Sequence, residues 1–261
     1  MLIDFHTHAF PERIAPAAMK RLSYQGGGLT PQTDGTLASL KEEMARDGVD
    51  ISVVLSIATN PKQQRNVNDF AISLKDVDGL VPFGSVHHDS PDALDELERL
   101  KENGIKGVKL HPDIQAFKID DYRCLKIYEL CEQNRLPVLL HTGDDRYDYS
   151  NPNRLLPVLE IYKDLTFIGA HLAGYSIWEE ACDKLGQAPN LYVDCSSSFF
   201  RLSTEKAEEL MRRWGAERVL FGTDYPMWDA QKELTTLLSM HFTEEEFRKI
   251  LWDNAYNLFV K

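Results

Sequence analysis

Two histidines that are two residues apart form the first feature of the sequence with the chemistry to bind a metal. They are His6 and His8, in the segment Asp4-Phe5-His6-Thr7-His8 near the start of the chain. Successive side chains of a β-strand point to opposite faces, so on a strand both imidazoles lie on the same side. Histidines also serve as hydrogen-bonding core residues. The pair by itself therefore predicts only two nitrogen donors in one place.

Three further polar residues, His141, His171 and Asp224, end short apolar runs elsewhere in the sequence. In a barrel of parallel strands, the carboxyl ends of the strands form the face that carries the active site. Histidine is a poor capping or turn residue, so a structural role does not explain these placements. Three imidazoles and a carboxylate suit zinc, or a similar ion such as manganese, iron or cobalt. We therefore predict a divalent metal cofactor, with one ion favoured over two, and expect His171 to move a proton.

Eight short runs of β-branched and aliphatic residues predict the strands that position these side chains. Each run is separated from the next by a stretch with helical periodicity. Eight alternating units predict the α/β class and a parallel (β/α)8 TIM barrel, for which 261 residues as a single domain (1–261) is an ordinary length. The predicted strands are residues 2–6, 51–57, 80–86, 107–110, 137–141, 166–171, 191–194 and 219–222.

Two segments are too long and too rich in turn residues to be simple connections. They are the long loop after strand 1 (residues 9–36) and residues 142–153 after strand 5. Functional loops of a barrel follow the carboxyl ends of its strands, so we expect both to form a substrate wall or lid. After strand 8 we predict a helix at 231–240 and an extra C-terminal helix, which begins with a capping-box pattern from Thr243 to Glu246 and reaches about Phe259.

The composition and charge exclude several classes of partner. The formal net charge of -12 repels phosphate backbones and anionic lipids, so we expect neither nucleic acid nor a membrane surface as a partner. No apolar stretch reaches the roughly 18 residues of a membrane span, and the first residues have no signal-peptide pattern. We expect a cytoplasmic protein with a small-molecule substrate. A homodimer is left open.

Four motifs give the sequence a specific resemblance along essentially its whole length. They are Ile3-Asp4-Phe5-His6-Thr7-His8, Leu140-His141-Thr142-Gly143, Gly169-Ala170-His171 and Gly222-Thr223-Asp224-Tyr225-Pro226. The sequence resembles the amidohydrolase superfamily, in particular the amidohydrolase-related branch that includes aminocarboxymuconate-semialdehyde decarboxylase. The resemblance implies that His6, His8, His141 and Asp224 bind the metal. It also implies that His171 is the acid/base residue beside a metal-bound water.

Strand 4 adds a second pair of candidates, because Lys109 and His111 lie on the same face of that strand. In dinuclear relatives such as dihydroorotase, a lysine in a similar segment is carbamylated and bridges two metals, so the pair could complete a second metal site. The interpretation that we favour keeps Lys109 as an ammonium paired with Asp4 or Asp194, since a buried lysine needs an anion. Asp4 is then a salt-bridge partner, or an acceptor that orients a ligand imidazole.

Four residues near the predicted mouth of the barrel are candidates for binding the substrate. Arg146 and Tyr147 lie in the loop after strand 5, and Arg201 and Trp228 follow strands 7 and 8. An arginine could hold a substrate carboxylate with two parallel hydrogen bonds, while the aromatic residues form a wall. The alternative for each is a solvated loop charge or a packed aromatic ring.

Three functions fit these residues. The first is a hydrolase of a small amide, lactone or ester, in which metal-activated water attacks the carbonyl and His171 and Asp224 manage the proton. The second is a non-oxidative decarboxylase of an aromatic or muconate-like acid. The third is a barrel that binds a metal or ligand without turnover. The motifs do not separate the first two.

Overall fold

Eight parallel strands alternate with helices in the computed structural model, which describes residues 1–25 and 27–260. Most strand residues are buried, as expected for a parallel sheet that is covered on both faces. The strands are β1 (Ile3–Thr7), β2 (Ile51–Leu55), β3 (Leu80–Phe83), β4 (Val108–Leu110), β5 (Val138–Leu140), β6 (Phe167–Gly169), β7 (Leu191–Asp194) and β8 (Val219–Leu220).

The strands close into a barrel through two narrow junctions. Continuous pairing joins β1 to β3 and β4 to β8. Single bridges, Gly84 with Val108 and Thr7 with Tyr225, connect the two sheets, and the backbone N–H of Phe5 donates to the carbonyl of Phe221 at 2.8 Å. The predicted (β/α)8 barrel is therefore confirmed.

Five strands, β2, β3, β5, β6 and β8, end one to three residues earlier than predicted, and at β2 and β3 side chains replace the ladder hydrogen bonds. The predicted ends were residues 57 and 86, whereas β2 and β3 end at Leu55 and Phe83. Beyond these points the N–H of Ser85 donates to Oδ1 of Asn68 at 2.8 Å, and the N–H of Ala58 donates to Oγ of Ser85 at 3.0 Å.

The helices surround the barrel and turn their apolar stripes inward. In Thr204–Trp214, for example, Ala207, Leu210, Met211 and Trp214 are buried, and the preceding Ser203 caps the first turn by accepting from the N–H of Lys206. The helices are α1 (Ala15–Gln25), α2 (Leu37–Asp47), α3 (Gln64–Ser73), α4 (Ala93–Glu102), α5 (Pro112–Gln115), α6 (Tyr122–Asn134), α7 (Pro152–Ile161), α8 (Trp178–Leu185), α9 (Thr204–Trp214), α10 (Ala230–Leu238), α11 (Glu244–Arg248) and α12 (Asn254–Val260). Among the described residues, none of the helices is long and apolar enough to cross a membrane.

Two predictions about connections need correction. The segment 9–36, predicted as a loop, contains α1. Ala15, Ala18, Met19 and Leu22 of this helix have helical spacing that the sequence interpretation missed, although among them only Ala15 is fully buried. The capping box at Thr243 and Glu246 is present, but the predicted final helix is interrupted by a π-helical turn, Lys249–Asp253. Within that turn the carbonyl of Ile250 accepts a hydrogen bond from the N–H of Phe221, at 3.0 Å, just after β8.

The last helix closes the amino-terminal end of the barrel. The ring of Phe5 stacks on Phe259 of α12 with centroids 5.6 Å apart, and it meets Phe83 edge-on at 5.9 Å. Phe5 and Phe83 belong to a buried apolar cluster inside the barrel. The amino-terminal end of the barrel interior is therefore apolar and closely packed. The polar residues of the interior gather at the opposite, carboxyl-terminal end.

Candidate metal centre and active site

The five polar residues singled out in the sequence all line one cavity at the carboxyl ends of the strands. His6 lies in β1 and His8 just after it, while His141, His171 and Asp224 follow β5, β6 and β8. The four imidazoles are buried, and the Asp224 side chain is 17% exposed. The cavity and its open mouth enclose about 910 Å³ of empty space.

Sharp turns after β6 and β8 place two of these side chains. His171 and Asp224 have φ angles of 59° and 64°, in the left-handed region that non-glycine residues rarely adopt. The Asp224 turn is held by its N–H, which donates to the carbonyl of His6 at 2.7 Å. Gly222 permits this approach, because a Cβ at that position would lie 2.9 Å from the Cβ of His6. Such strained conformations cluster at functional sites.

His6, His8 and Asp224 form a compact group of donor atoms. Oδ1 of Asp224 lies 3.5 Å from Nε2 of His6 and 3.4 Å from Nε2 of His8. Donors bound to a tetrahedral zinc at about 2.0–2.1 Å are themselves about 3.3 Å apart. The spacing of the three atoms therefore fits a transition-metal ion between them.

The hydrogen bonds made by Nδ1 of His6 and of His8 determine which nitrogen of each ring keeps a lone pair for a metal. Nδ1 of His6 donates to Oδ2 of Asp194 at 2.9 Å, and Nδ1 of His8 donates to the carbonyl of Leu55 at 2.8 Å. In a neutral ring the lone pair is then on Nε2, facing Asp224. Burial, together with the charge of Lys109, lowers the pKa of His6 to about 4 despite Asp194, so this ring is neutral at pH 7. Lone pairs that converge on a carboxylate oxygen are the donor set that a cation requires.

Asp224 is ionised in this environment. Burial by itself raises the pKa of its carboxyl, but the neighbouring imidazoles of His8, His6 and His171 outweigh that effect and hold the pKa well below its ordinary value. Its other oxygen, Oδ2, accepts from Oγ of Ser197 at 2.6 Å, and that hydroxyl in turn accepts from Nε1 of Trp228 at 2.7 Å.

His171 and His141 meet beside this group. Nε2 of His171 lies 3.1 Å from Nδ1 of His141, and Nδ1 of His171 donates to the carbonyl of Ser196 at 3.0 Å. Burial lowers the pKa of His171 below its ordinary value, against the charges of Asp224 and Asp194. His141 lies in a different group of possible metal donors, with His111 and Asp113, so the structure brings it next to His171 rather than into the group around Asp224.

Lys109 does not form the ion pair with Asp4 or Asp194 that the sequence predicted. Nζ of Lys109 lies 3.4 Å from Nε2 of His6, and among the described residues no carboxylate lies within 4 Å of it. Burial lowers the pKa of Lys109 to about 8, against the charges of Asp194 and Asp224. Asp4 instead accepts from Oγ1 of Thr223 at 2.6 Å and from the backbone N–H of His6 at 3.1 Å. It orients the turn after β8 and not an imidazole.

Asp194 is a site residue that the sequence interpretation placed only as a partner of Lys109. It is fully buried, and its Oδ1 accepts from the N–H groups of His171 and Ser196 while Oδ2 holds His6. Burial raises the pKa of Asp194, but the positive charge and hydrogen bond of His6 outweigh it and bring the pKa to about 2. The signal was available, because Asp194 ends β7 as the other polar residues end their strands.

The four predicted substrate residues lie at or near the mouth of the cavity. Arg146 and Tyr147 line it, but the guanidinium of Arg146 is held by Asp144 at 2.6 Å. Trp228 also lines the cavity, and its ring stacks on Phe200 with centroids 4.7 Å apart. Arg201 lies over the Phe200 ring at 5.2 Å, and among the described residues no carboxylate lies within 4 Å of its guanidinium.

A family model described as amidohydrolase matches residues 3–260. The chain belongs to this family. The membership, together with the donor set described above, makes it a metal-dependent enzyme. No curated protein shows significant similarity to the chain.

Solved structures share the whole architecture of this amidohydrolase. An uncharacterised TIM-barrel protein from Bordetella bronchiseptica is 24% identical, with a TM-score of 0.82 over 99% of this chain and 98% of that one. A zinc-bound amidohydrolase from Burkholderia multivorans is 13% identical, with a TM-score of 0.77 over 100% and 99% of the two chains. A dihydroxybenzoic acid decarboxylase from a Polaromonas species, with bound manganese and the inhibitor 2-nitroresorcinol, is 18% identical, with a TM-score of 0.74 over 99% and 96%.

Decarboxylases of 2,6-dihydroxybenzoate and 5-carboxyvanillate also match, at 16% and 14% identity. At these identities the similarity establishes the fold.

Proposed function

We propose that this chain is a divalent-metal-dependent, non-oxidative decarboxylase of a small aromatic carboxylic acid. In this proposal His6, His8, His141 and Asp224 hold the ion, and His171 and Asp224 handle the proton. The observation that carries it is a cavity with a cluster of metal-type donors on its floor and flat aromatic rings along one wall. The similarity to aromatic acid decarboxylases supports the same reaction class.

The aromatic wall favours a planar substrate. Tyr175 and Phe200 lie nearly parallel, with an interplanar angle of 28° and centroids 6.2 Å apart, and Trp228 continues the stack at 24° to Phe200. All three rings line the cavity. A substrate ring can pack against this wall with its acidic groups directed at the donor cluster, since offset stacking of aromatic rings is favourable.

Arg201 is the residue at the rim that is available for a second acidic group of the substrate. Its guanidinium lies over the rings of Tyr175 and Phe200, at 5.4 and 5.2 Å, without a carboxylate partner among the described residues. Arg146 is less suitable, because Asp144 already accepts three hydrogen bonds from its guanidinium. We expect Arg201→Gln to raise KM more than it lowers kcat, and Arg146→Gln to change KM less.

The donor set suits either manganese or zinc, since imidazole and carboxylate ligands bind both. When bound, such an ion would polarise the oxygen atoms of the substrate and stabilise the negative charge that develops on it. Burial keeps the pKa of His6 low, so this ring is ready to ligate without first losing a proton. Acceptors hold the Nδ1 atoms of both His6 and His8, which orients the two rings.

Decarboxylation needs one proton on the ring carbon that carries the carboxylate. The carbon takes this proton, the bond to the carboxylate breaks with its electron pair staying on the ring, and carbon dioxide leaves. Asp224 is ionised and His171 is neutral at pH 7, so the pair must accept a proton before it can return one to carbon. An acidic hydroxyl group beside the substrate carboxylate would supply it, which favours hydroxybenzoate-type acids.

The test is turnover of hydroxybenzoates by the manganese- or zinc-loaded protein in D2O. We expect release of carbon dioxide and one deuterium at the vacated ring position of each product molecule. Lactones, amides and esters are assayed in parallel, and hydrolysis of any of them without carbon dioxide release from the acids would overturn the proposal.

His171→Asn provides the matched variant for the proton step. Removal of general acid/base assistance typically costs about 100- to 10,000-fold in rate, so we expect kcat to fall in that range while metal content is retained. Loss of the metal with a normal rate in excess metal would instead make His171 a ligand.

A further inference from the structure

The imidazoles that face the centre of the site share one arrangement of hydrogen bonds. In His6, His8 and His171, Nδ1 donates outward to an acceptor, and Nε2 points inward. The acceptors are a carboxylate, Asp194, and two backbone carbonyls, at 2.8–3.0 Å. Outer contacts of this kind fix the tautomer and the orientation of a metal-binding ring.

His141 is reversed relative to the other three rings. Its Nδ1 points inward, 3.1 Å from Nε2 of His171, so its outward nitrogen is Nε2. Among the described residues that buried atom has no hydrogen-bond partner. Oδ2 of Asp113, which accepts from Oγ of Ser150, lies 3.6 Å from it, just beyond hydrogen-bonding distance. A buried ring nitrogen without a partner therefore faces a carboxylate oxygen that can accept a second hydrogen bond.

We propose that Asp113 is the positioning residue of His141, a role that rests on the proposed metal centre. A neutral imidazole that binds an ion through Nδ1 must carry its proton on Nε2, and a buried N–H group needs an acceptor. Among the described residues, Asp113 is the only carboxylate within 4 Å of that nitrogen. A shift of a few tenths of an ångström would bring Nε2 of His141 and Oδ2 of Asp113 within hydrogen-bonding distance.

The surroundings hold both partners in place for this contact. The rings of His111 and His141 stack with centroids 4.0 Å apart and planes 10° apart, which restricts rotation of the His141 ring. Oγ of Ser150 donates to Oδ2 of Asp113 at 2.7 Å, and the carbonyl of Ser150 accepts from the N–H of Gly143 at 2.9 Å. The loop after β5 thereby ties Asp113 to the residues that follow His141.

The parallel stack also argues against a second ion shared by His111 and His141. The lone pairs of an imidazole lie in the plane of its ring, so two stacked rings direct them along separate, parallel planes. Asp113 is therefore better placed to accept a hydrogen bond from His141 than to act, with His111 and His141, as the third ligand of a separate ion.

The experiment measures zinc affinity by competition with a chelator for the wild-type chain, Asp113→Ala and Asp113→Asn. We expect the alanine variant to bind zinc 10- to 100-fold more weakly, the range typical for loss of an outer contact to a metal-binding histidine. The asparagine variant should lose less, because its amide oxygen can still accept from Nε2. Ser150→Ala, which frees the Asp113 carboxylate without removing it, should show a smaller loss in the same direction.

A second readout reports the tautomer directly. In the zinc-loaded protein with ¹⁵N-labelled histidine, we expect the His141 signals, assigned by comparison with His141→Gln, to show the proton on Nε2. A proton on Nδ1 of His141 in that state, or wild-type zinc affinity in Asp113→Ala, would overturn the role of Asp113 while leaving the metal centre intact. Failure of the wild-type chain to bind zinc or manganese would overturn the metal centre itself.

Discussion

Replacement of Asp194 by asparagine is the sharpest test of how the site prepares His6 for a metal. The carboxylate accepts from Nδ1 of His6 through Oδ2 and from the N–H groups of His171 and Ser196 through Oδ1. Asparagine has only one acceptor oxygen, so its NH2 group must face donors on one side. Either the His6 proton or the two backbone N–H groups lose their partner.

The hydrogen bonds lost in Asp194→Asn determine the expected change in metal affinity or in stability. Loss of the outer contact to a metal-binding histidine typically weakens metal binding by about 10- to 100-fold, or about 1.4–2.8 kcal/mol. If the amide instead turns its NH2 group to the backbone, the buried N–H groups of His171 and Ser196 lose their acceptor. The free energy of unfolding then falls by about 1–3 kcal/mol. Both effects are measurable, the first by chelator competition and the second by urea unfolding of the metal-free protein.

Asp4→Asn is the matched control. Asp4 is also buried, and it lies in the same strand as His6, but it contacts no ring nitrogen. The amide oxygen of asparagine can still accept hydrogen bonds from the backbone N–H groups of His6 and Thr223. The Thr223 hydroxyl can turn to accept from the new NH2 group. We therefore expect near wild-type zinc affinity. Equal losses in the two variants, or none in Asp194→Asn, would refute the idea that Asp194 acts through His6.

Three further outcomes follow from the site. His8→Ala should reduce the metal content well below one ion per chain while circular dichroism still shows a folded barrel, and full occupancy would remove His8 from the ligand set. Between pH 6.5 and 4, His6 should lower the unfolding free energy of the metal-free protein by about 3 kcal/mol, because the unfolded chain protonates His6 near 6.5 and the folded chain only near 4; His6→Gln should remove this contribution from the wild-type pH profile. Lys109 should remain a free amine in crystals grown with bicarbonate and excess metal, and density for a carbamate between two ions would show the opposite.

Local sequence patterns were sufficient to predict the architecture. The alternation of apolar runs and helical stretches predicted eight strands, because hydrophobic periodicity is a property of consecutive residues. The same reasoning placed His6, His8, His141, His171 and Asp224 at the carboxyl ends of strands, and in the structure all five line one cavity. One helix was missed: α1 was predicted as a loop because of the turn residues around it, although Ala15, Ala18, Met19 and Leu22 have helical spacing.

The contacts that assign a role to each nitrogen were decided by the tertiary structure alone. Asp194 holds His6 across 188 residues of sequence, and Ser150 reaches Asp113 across 37. Lys109 was expected to pair with a carboxylate but lies against His6, because the register of the barrel sets which side chains meet in its interior. Periodicity along a strand determines which face a residue occupies. Which acceptor it finds on that face depends on how distant strands pack, and so could not be predicted from the sequence.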